Sequence, residues 1–247
     1  MSASFEGKVV IVTGSSNGIG RTTATIFAEK GAKLTLSGRS KENMQITHKL
    51  CLDAGAKSEN ILEVFGEIEN RETREMIISN TVDKFGQIDV LVNNAGMAMD
   101  SRGFAPFEVP LEQFDHTVAV NTRAVLHLSQ LAVPYLQKTQ GSIVNVSSIA
   151  SHLFAQSDIS YAMAKAALDQ LTVQMAAILA RKGIRVNGVN PGPTQTGFLR
   201  NNGVEEEKSK AIMKSLGKRA PLGRSGLPED VAKVRSTARR SYFRLST

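Results

Sequence analysis

The chain has 247 residues, 41% of them hydrophobic and 21% charged, which suffices for one packed α/β domain and is short for two. The single cysteine, Cys51, excludes an intrachain disulfide and a thiolate metal cluster, and the four histidines (His48, His116, His127 and His152) show no zinc-binding spacing. The net charge of +7 does not argue for nucleic acid: Arg235, Arg239, Arg240 and Arg244 crowd the last thirteen residues, and removing those four charges leaves +3.

The first residues lack the basic flank and apolar run of a secretory signal, and no stretch approaches the ~18 consecutive apolar residues of a spanning helix. The expectation is a soluble, cytoplasmic protein. Six near-continuous apolar runs rich in β-branched residues read as strands, at 8–14, 33–39, 60–66, 88–96, 141–148 and 184–192. Such runs suit parallel strands covered on both faces. Helical patterns alternate with them. One, at 19–30, stops at Gly31, and another carries a stripe of Leu168, Leu171, Met175 and Ile178. The alternation predicts a single-domain α/β fold, a Rossmann-like doubly wound parallel sheet. The polar segment 196–226 contains a charged helix candidate at 205–218. It reads as a solvated connection or as a lid, and the lid is favoured because ligands bind at the carboxyl ends of such strands.

The first strand runs into Gly14-Ser15-Ser16-Asn17-Gly18-Ile19-Gly20, where a helix opens. Small residues suit a backbone that turns tightly and lets a pyrophosphate approach the free N–H groups of a helix start. The spacing differs from the commoner Gly-x-Gly-x-x-Gly fingerprint, and glycines also serve plain tight turns. Arg39 follows the second strand, and no Asp or Glu stands between Lys33 and Lys41. An arginine there suits the 2′-phosphate of NADP, an acid the 2′-hydroxyl of NAD, and a plain surface arginine is the competing reading.

Asn93-Asn94-Ala95-Gly96 closes the fourth strand with residues that let the backbone pass under an adenine and its ribose. Asn121 lies in the next helix, where a buried amide most simply satisfies backbone groups or holds a water. Ser148 ends the fifth strand, where a hydroxyl can polarise a substrate carbonyl. Ser147 is the alternative, because strand side chains alternate between faces. Tyr161 and Lys165 stand four apart on one helix face. A nearby ammonium is expected to lower a phenol from its usual pKa of about 10, and the lysine can also reach ribose hydroxyls.

In this order and spacing, the residues resemble the classical branch of the short-chain dehydrogenase/reductase family over about the first 230 residues. The resemblance implies an NADP(H)-dependent oxidoreductase passing hydride between nicotinamide and a carbonyl or secondary alcohol. It implies a catalytic set of Asn121, Ser148, Tyr161 and Lys165. Tyr161 is the acid–base residue, Ser148 holds the substrate oxygen, Lys165 tunes the tyrosine, and Asn121 anchors a proton-relay water. Cofactor contacts are implied for Gly14, Ser15, Ser16, Asn17, Gly18, Ile19, Gly20, Arg39, Asn94, Ala95, Gly96, Tyr161, Lys165, Pro191, Gly192, Thr194 and Thr196. Also implied are a small-molecule substrate touching Ser148 and Tyr161, no metal, no nucleic-acid or membrane partner, and a homodimer or homotetramer paired through the 168–178 stripe.

The wall of the substrate pocket is expected from Met97, His152, Leu153, Phe154 and Phe198, mostly apolar, which favours a lipophilic carbonyl or alcohol. Many relatives carry an Asp after the third strand that touches adenine; this chain has Glu67 there as a substitute. The larger departure is the C-terminus. The domain is expected to span 1–234, followed by an atypical basic tail, 235–247, in place of the family's last helix and seventh strand. Four arginines do not suit a strand buried on both faces. The alternative function is a nucleotide-binding relative with little turnover because of that tail.

Overall fold

The computed structural model describes residues 4–98, 107–153, 159–201 and 203–237. Phe154 and residues 238–247 of the tail lie outside these. Among the described residues, six strands form one parallel sheet: β1 (Val9–Thr13), β2 (Lys33–Gly38), β3 (Ile61–Phe65), β4 (Val90–Asn93), β5 (Ser142–Val146) and β6 (Arg185–Val189), in the order β3-β2-β1-β4-β5-β6. The order reverses between β1 and β4, the switch point at which doubly wound sheets open a crevice for ligands. All six expected strands are present, each within its expected range.

The continuous apolar character of β1 follows from its double burial. Val10 and Val12 pack with Phe27, Leu34, Leu36 and Met44 on one face, while Ile11 packs with Ile77, Leu91, Leu128 and Ile143 on the other. The first face is covered by α1 (Gly18–Glu29) and α2 (Lys41–Asp53). The second is covered by α3 (Arg71–Phe85), by α5 (Ala124–Thr139) and by α6 (Ile159–Ala180), with α4 (Leu111–Val118) leading into α5 through a widened π turn (Ala119–Arg123).

On α6 the expected pairing stripe does not stand as one free face. Leu168 and Met175 are buried in the chain's own core, and Leu171 packs partly against it, whereas Ile178 is exposed. A 22-residue helix must first cover its own sheet, and the core takes Leu168 and Met175 of the stripe.

After β6 the chain leaves the sheet through α7 (Phe198–Asn201) and α8 (Glu206–Arg219) and returns to α9 (Pro228–Thr237). The excursion is closed at its base. Gln195 N–H donates to Gly226 O at 2.8 Å, and Gly226 N–H to Pro193 O at 2.8 Å. Helix α9 packs on α1, burying Val231 and Ala232. Among the described residues, β6 forms one edge of the sheet, and its residues are less covered than those of β1. No helix among them is long and apolar enough to cross a membrane.

Candidate active site

The crevice is built at the carboxyl ends of β1, β4, β5 and β6. At β1 the chain turns through Gly14 and Gly18, both with positive φ (63° and 49°), a conformation that costs a residue with a Cβ. Space forbids a side chain as firmly as torsion does. A Cβ at Gly14 would lie 2.8 Å from Ala95 Cα, one at Gly18 2.8 Å from Thr196 Cβ, and one at Gly20 would strike Gly14 O and Asn94 Nδ2. The turn is thus a cradle of backbone that fits a group needing close main-chain approach, as a dinucleotide pyrophosphate does. Asn17 and Ile19 flank Gly18 at the start of α1.

Braces hold this turn, and several were not read from the sequence. The Thr13 hydroxyl accepts from the N–H groups of Asn94 and Ala95, both at 3.0 Å, and Asn94 Nδ2 donates to Thr13 O (2.9 Å) and Gly14 O (3.1 Å). Ser15 is buried, and its N–H and O–H both go to Ser37 O, so it braces the turn from inside. The guanidinium of Arg21 donates to Ser16 O and to Asn43 O (3.1 Å), and its Nε to Thr47 Oγ1 (3.0 Å), tying the turn to α2. Burial lowers the pKa of Arg21. No local pattern marks Arg21 or Thr47, because their partners are set by the packing of α1 on α2.

Arg39 follows β2 and is exposed, with NH1 3.4 Å from Glu67 Oε2. The expected adenine substitute therefore lies beside the expected phosphate partner. Exposed pairs of this kind contribute about 0–1 kcal/mol, so either partner is readily recruited elsewhere.

At the other end, Tyr161 and Lys165 project from the first turns of α6 towards β5. Lys165 is buried and its Nζ donates to Val146 O at 2.9 Å, lying 5.6 Å from the centre of the Tyr161 ring. The Ser148 and Tyr161 side chains share a hydrogen bond. Burial raises the phenol above its ordinary pKa, and the bond with Ser148 works against that rise. The expected lowering by Lys165 is therefore corrected: desolvation dominates, and the ammonium is engaged with a carbonyl. Alternation along the chain separates the two serines. Ser147 is buried and donates to Lys165 O at 3.1 Å, which leaves Ser148 as the serine of the crevice.

Asn121 sits fully buried in the π turn. Its Nδ2 donates to Met97 O (2.8 Å) and Thr117 O (3.0 Å), and its Oδ1 accepts from Met97 N–H (3.2 Å). The side chain thus holds the strand end beyond Gly96. Gly96 itself faces the lysine, since a Cβ there would come 3.4 Å from Lys165 Nζ and 2.8 Å from Asn121 Oδ1.

Pro191 O accepts from Ile149 N–H at 3.1 Å, Thr194 Oγ1 donates to Gly192 O at 2.9 Å, and Thr196 Oγ1 accepts from Phe198 N–H at 3.2 Å. The Phe198 ring lies 6.0 Å from that of Tyr161. The segment after β6 therefore reaches both the glycine turn, through Thr196, and the tyrosine, through Phe198. A cleft of about 820 Å³ lies on the α1 side of the turn, between Asn17, Arg21, Gly197 and α8. Ser148 and Tyr161 do not line it. Of its cations, Arg200 and Lys210 face Glu206 and Arg224 faces Asp230. Cys51 offers no reactive thiolate, since burial pushes its thiol up to about 12.

Known proteins resemble this chain over most of its length. Residues 14–237 match the family profile described as enoyl-(acyl carrier protein) reductase. The chain is 36% identical over 231 residues to a 3-oxoacyl-[acyl-carrier-protein] reductase of Thermotoga maritima, covering 93% of this chain and 89% of that protein. A Caenorhabditis elegans short-chain dehydrogenase/reductase of unknown function, solved with cofactor, superposes with a TM-score of 0.90 at 39% identity, over 93% of this chain and 87% of the other. The glucose dehydrogenase of the same organism, in its apo-form, gives a TM-score of 0.80 at 40% identity, over 95% and 90%.

Proposed function

The chain belongs to the short-chain dehydrogenase/reductase family of oxidoreductases, and from that premise we propose that it is an NADP(H)-dependent enzyme acting on a carbonyl or secondary alcohol, with Tyr161 as its acid–base residue. The observation that carries this reading is the partly buried Tyr161, its hydroxyl bonded to Ser148, beside the buried Lys165 ammonium. A phenol raised by burial stays in the protonated form that can give a proton to a carbonyl oxygen, which supports its reading as the acid–base residue. Ser148 holds the same oxygen through its hydroxyl. Asn121 secures the backbone around Gly96 and Met97, and with it the floor of the crevice.

A bound nicotinamide nucleotide would supply or accept the hydride. The residues to hold it are Gly14, Ser16, Asn17, Gly18, Ile19 and Gly20 at the phosphates, with Ser15 bracing from inside. Arg39 would meet the 2′-phosphate, and Asn94, Ala95 and Gly96 the adenosine. Lys165 would meet a ribose, and Tyr161, Pro191, Gly192, Thr194 and Thr196 would line the nicotinamide end. NADP is favoured over NAD because Arg39 ends β2 where an acid would otherwise stand.

The apolar side chains of Met97, Leu153 and Phe198 support a lipophilic substrate. We place the catalytic domain at 1–234, with 235–247 as a basic tail. The proposed homodimer or homotetramer rests on the exposed Met163, Val173 and Ile178 of α6. The test is NADPH oxidation over a panel of ketones, aldehydes, quinones and a free aldose. Turnover of at least one class is expected. NADPH binding without oxidation of any would replace this reading with a nucleotide-binding protein of little turnover.

A further inference from the structure

Asn190 is the last residue before Pro191, and its side-chain amide lies where three elements meet. Its Nδ2 is 2.8 Å from Asp169 Oδ2, 3.1 Å from Ser151 Oγ and 3.2 Å from Ser148 O. A carbonyl and a carboxylate only accept, so the NH₂ end of the amide must face them. Asp169 stands one helical turn beyond Lys165 and two beyond Tyr161 on α6. The turn after β5 is drawn in by further bonds: Ser151 Oγ donates to Ser148 O at 2.7 Å, and Ala150 N–H to Ser148 Oγ at 3.1 Å. That last bond occupies one acceptor site of the Ser148 hydroxyl and so restricts where its remaining hydrogen-bonding capacity points.

We propose that Asp169 and Asn190 are a positioning pair that locks the Ser148 turn onto the helix carrying Tyr161, fixing the distance between the two hydroxyls. The proposal rests on the reading of Ser148 and Tyr161 as the reacting pair. Ser148 and Tyr161 belong to different elements, and a hydrogen bond between them tolerates little relative slip. The Asp169 carboxylate makes the link charge-assisted, and hence stronger than a neutral amide contact. His152 Nδ1 lies 3.4 Å from the same carboxylate oxygen with its side chain mostly in solvent, so it borders the pair and is not needed for the link.

The experiment follows the Tyr161 hydroxyl directly and needs no known substrate. The three tyrosines are labelled with ¹³C at Cζ, and the Tyr161 signal is assigned by its loss in Tyr161→Phe. It is then titrated in wild type, Ser148→Ala, Asp169→Leu, Asn190→Ala and Asp169→Asn. Because the bond with Ser148 lowers the tyrosine pKa, Ser148→Ala, Asp169→Leu and Asn190→Ala are each expected to move its titration upward by about 0.4 to 1 pH unit. Asp169→Asn keeps an acceptor for Asn190 and is expected to stay near wild type. On any carbonyl the enzyme reduces, Asp169→Leu is expected to lose at least ~10-fold in kcat, with the KM for NADPH unchanged. A folded Asp169→Leu whose Tyr161 titrates as in wild type, while Ser148→Ala shifts, overturns the positioning pair and leaves the serine–tyrosine reading intact. If Ser148→Ala itself leaves Tyr161 unmoved, the serine–tyrosine link fails and the positioning pair falls with it. Should Asp169→Leu not fold, Asn190→Ala at its half-buried loop position carries the same test.

Discussion

At the glycine turn, position is enforced by exclusion: Gly14, Gly18 and Gly20 each have a neighbouring atom where a Cβ would have to sit. At the Ser148–Tyr161 end, position is enforced by attraction, through hydrogen bonds that join α6, the turn after β5 and the end of β6. The first mechanism demands a residue type at each place, so it is visible in a sequence. The second demands only that partners meet, and many residue types can be partners. A steric end should fail abruptly and through the backbone, whereas a hydrogen-bonded end should fail by degrees and mainly in chemistry.

Tyr161→Phe is the sharpest break of the second kind. Removing the hydroxyl is expected to lower NADPH-dependent turnover by at least ~100-fold while leaving NADPH binding close to wild type. Turnover near wild type in the folded variant would remove Tyr161 from the mechanism.

Gly20→Ala is the matching break at the steric end. The added methyl meets backbone, which cannot swing away, so a loss of about 1–3 kcal/mol in denaturant unfolding is expected, together with weaker NADPH binding. Unchanged stability and affinity would mean that the turn yields more than its contacts imply.

Arg39→Asp sharpens the comparison, because Arg39 sits in neither regime: it is exposed and only loosely paired with Glu67. Its replacement by a like charge is expected to weaken NADPH by about 10-fold or more and to leave NADH nearly unaffected. Titrating both nucleotides into both proteins decides it, and a wild type that already prefers NADH would reduce Arg39 to a surface residue.

The smallest effect lies away from both ends, where the buried Arg74 donates through Nε to His127 Nδ1 at 2.9 Å. Burial first, then the charges of Arg74 and Arg71, hold the His127 pKa below its ordinary value, with Glu75 opposing. A histidine whose folded pKa is depressed adds nothing above its unfolded pKa of about 6.5, and costs stability progressively as pH falls from there through the lowered value. His127→Asn should therefore lose less stability than wild type between about pH 7.5 and pH 5.5. Parallel slopes in denaturant unfolding at the two pH values would show that protonation at His127 is not felt by the fold.

The sequence by itself determined the strands and the glycine turn, and it nominated the site residues. A strand covered on both faces must be apolar throughout, as β1 is. A backbone cradle must be glycine, as at Gly14 and Gly20. The proposed reacting groups are also marked locally, a serine at a strand end and a tyrosine and a lysine four apart on one helix, as at Ser148, Tyr161 and Lys165. Tertiary structure alone decided which partner each group takes. Ser147 rather than Ser148 is spent on the helix backbone, because adjacent side chains point apart. Lys165 turns to Val146 O, and burial then moves Tyr161 up where spacing on the helix had suggested down. The Leu168–Ile178 stripe went largely to the chain's own core, because covering the sheet takes precedence along α6. Asn190 meets Asp169 from 21 residues away, and Arg21 meets Thr47 from 26. Hydrophobic period and glycine spacing are written along one element at a time, whereas a hydrogen bond between elements exists only once packing has set the distance across the gap between them.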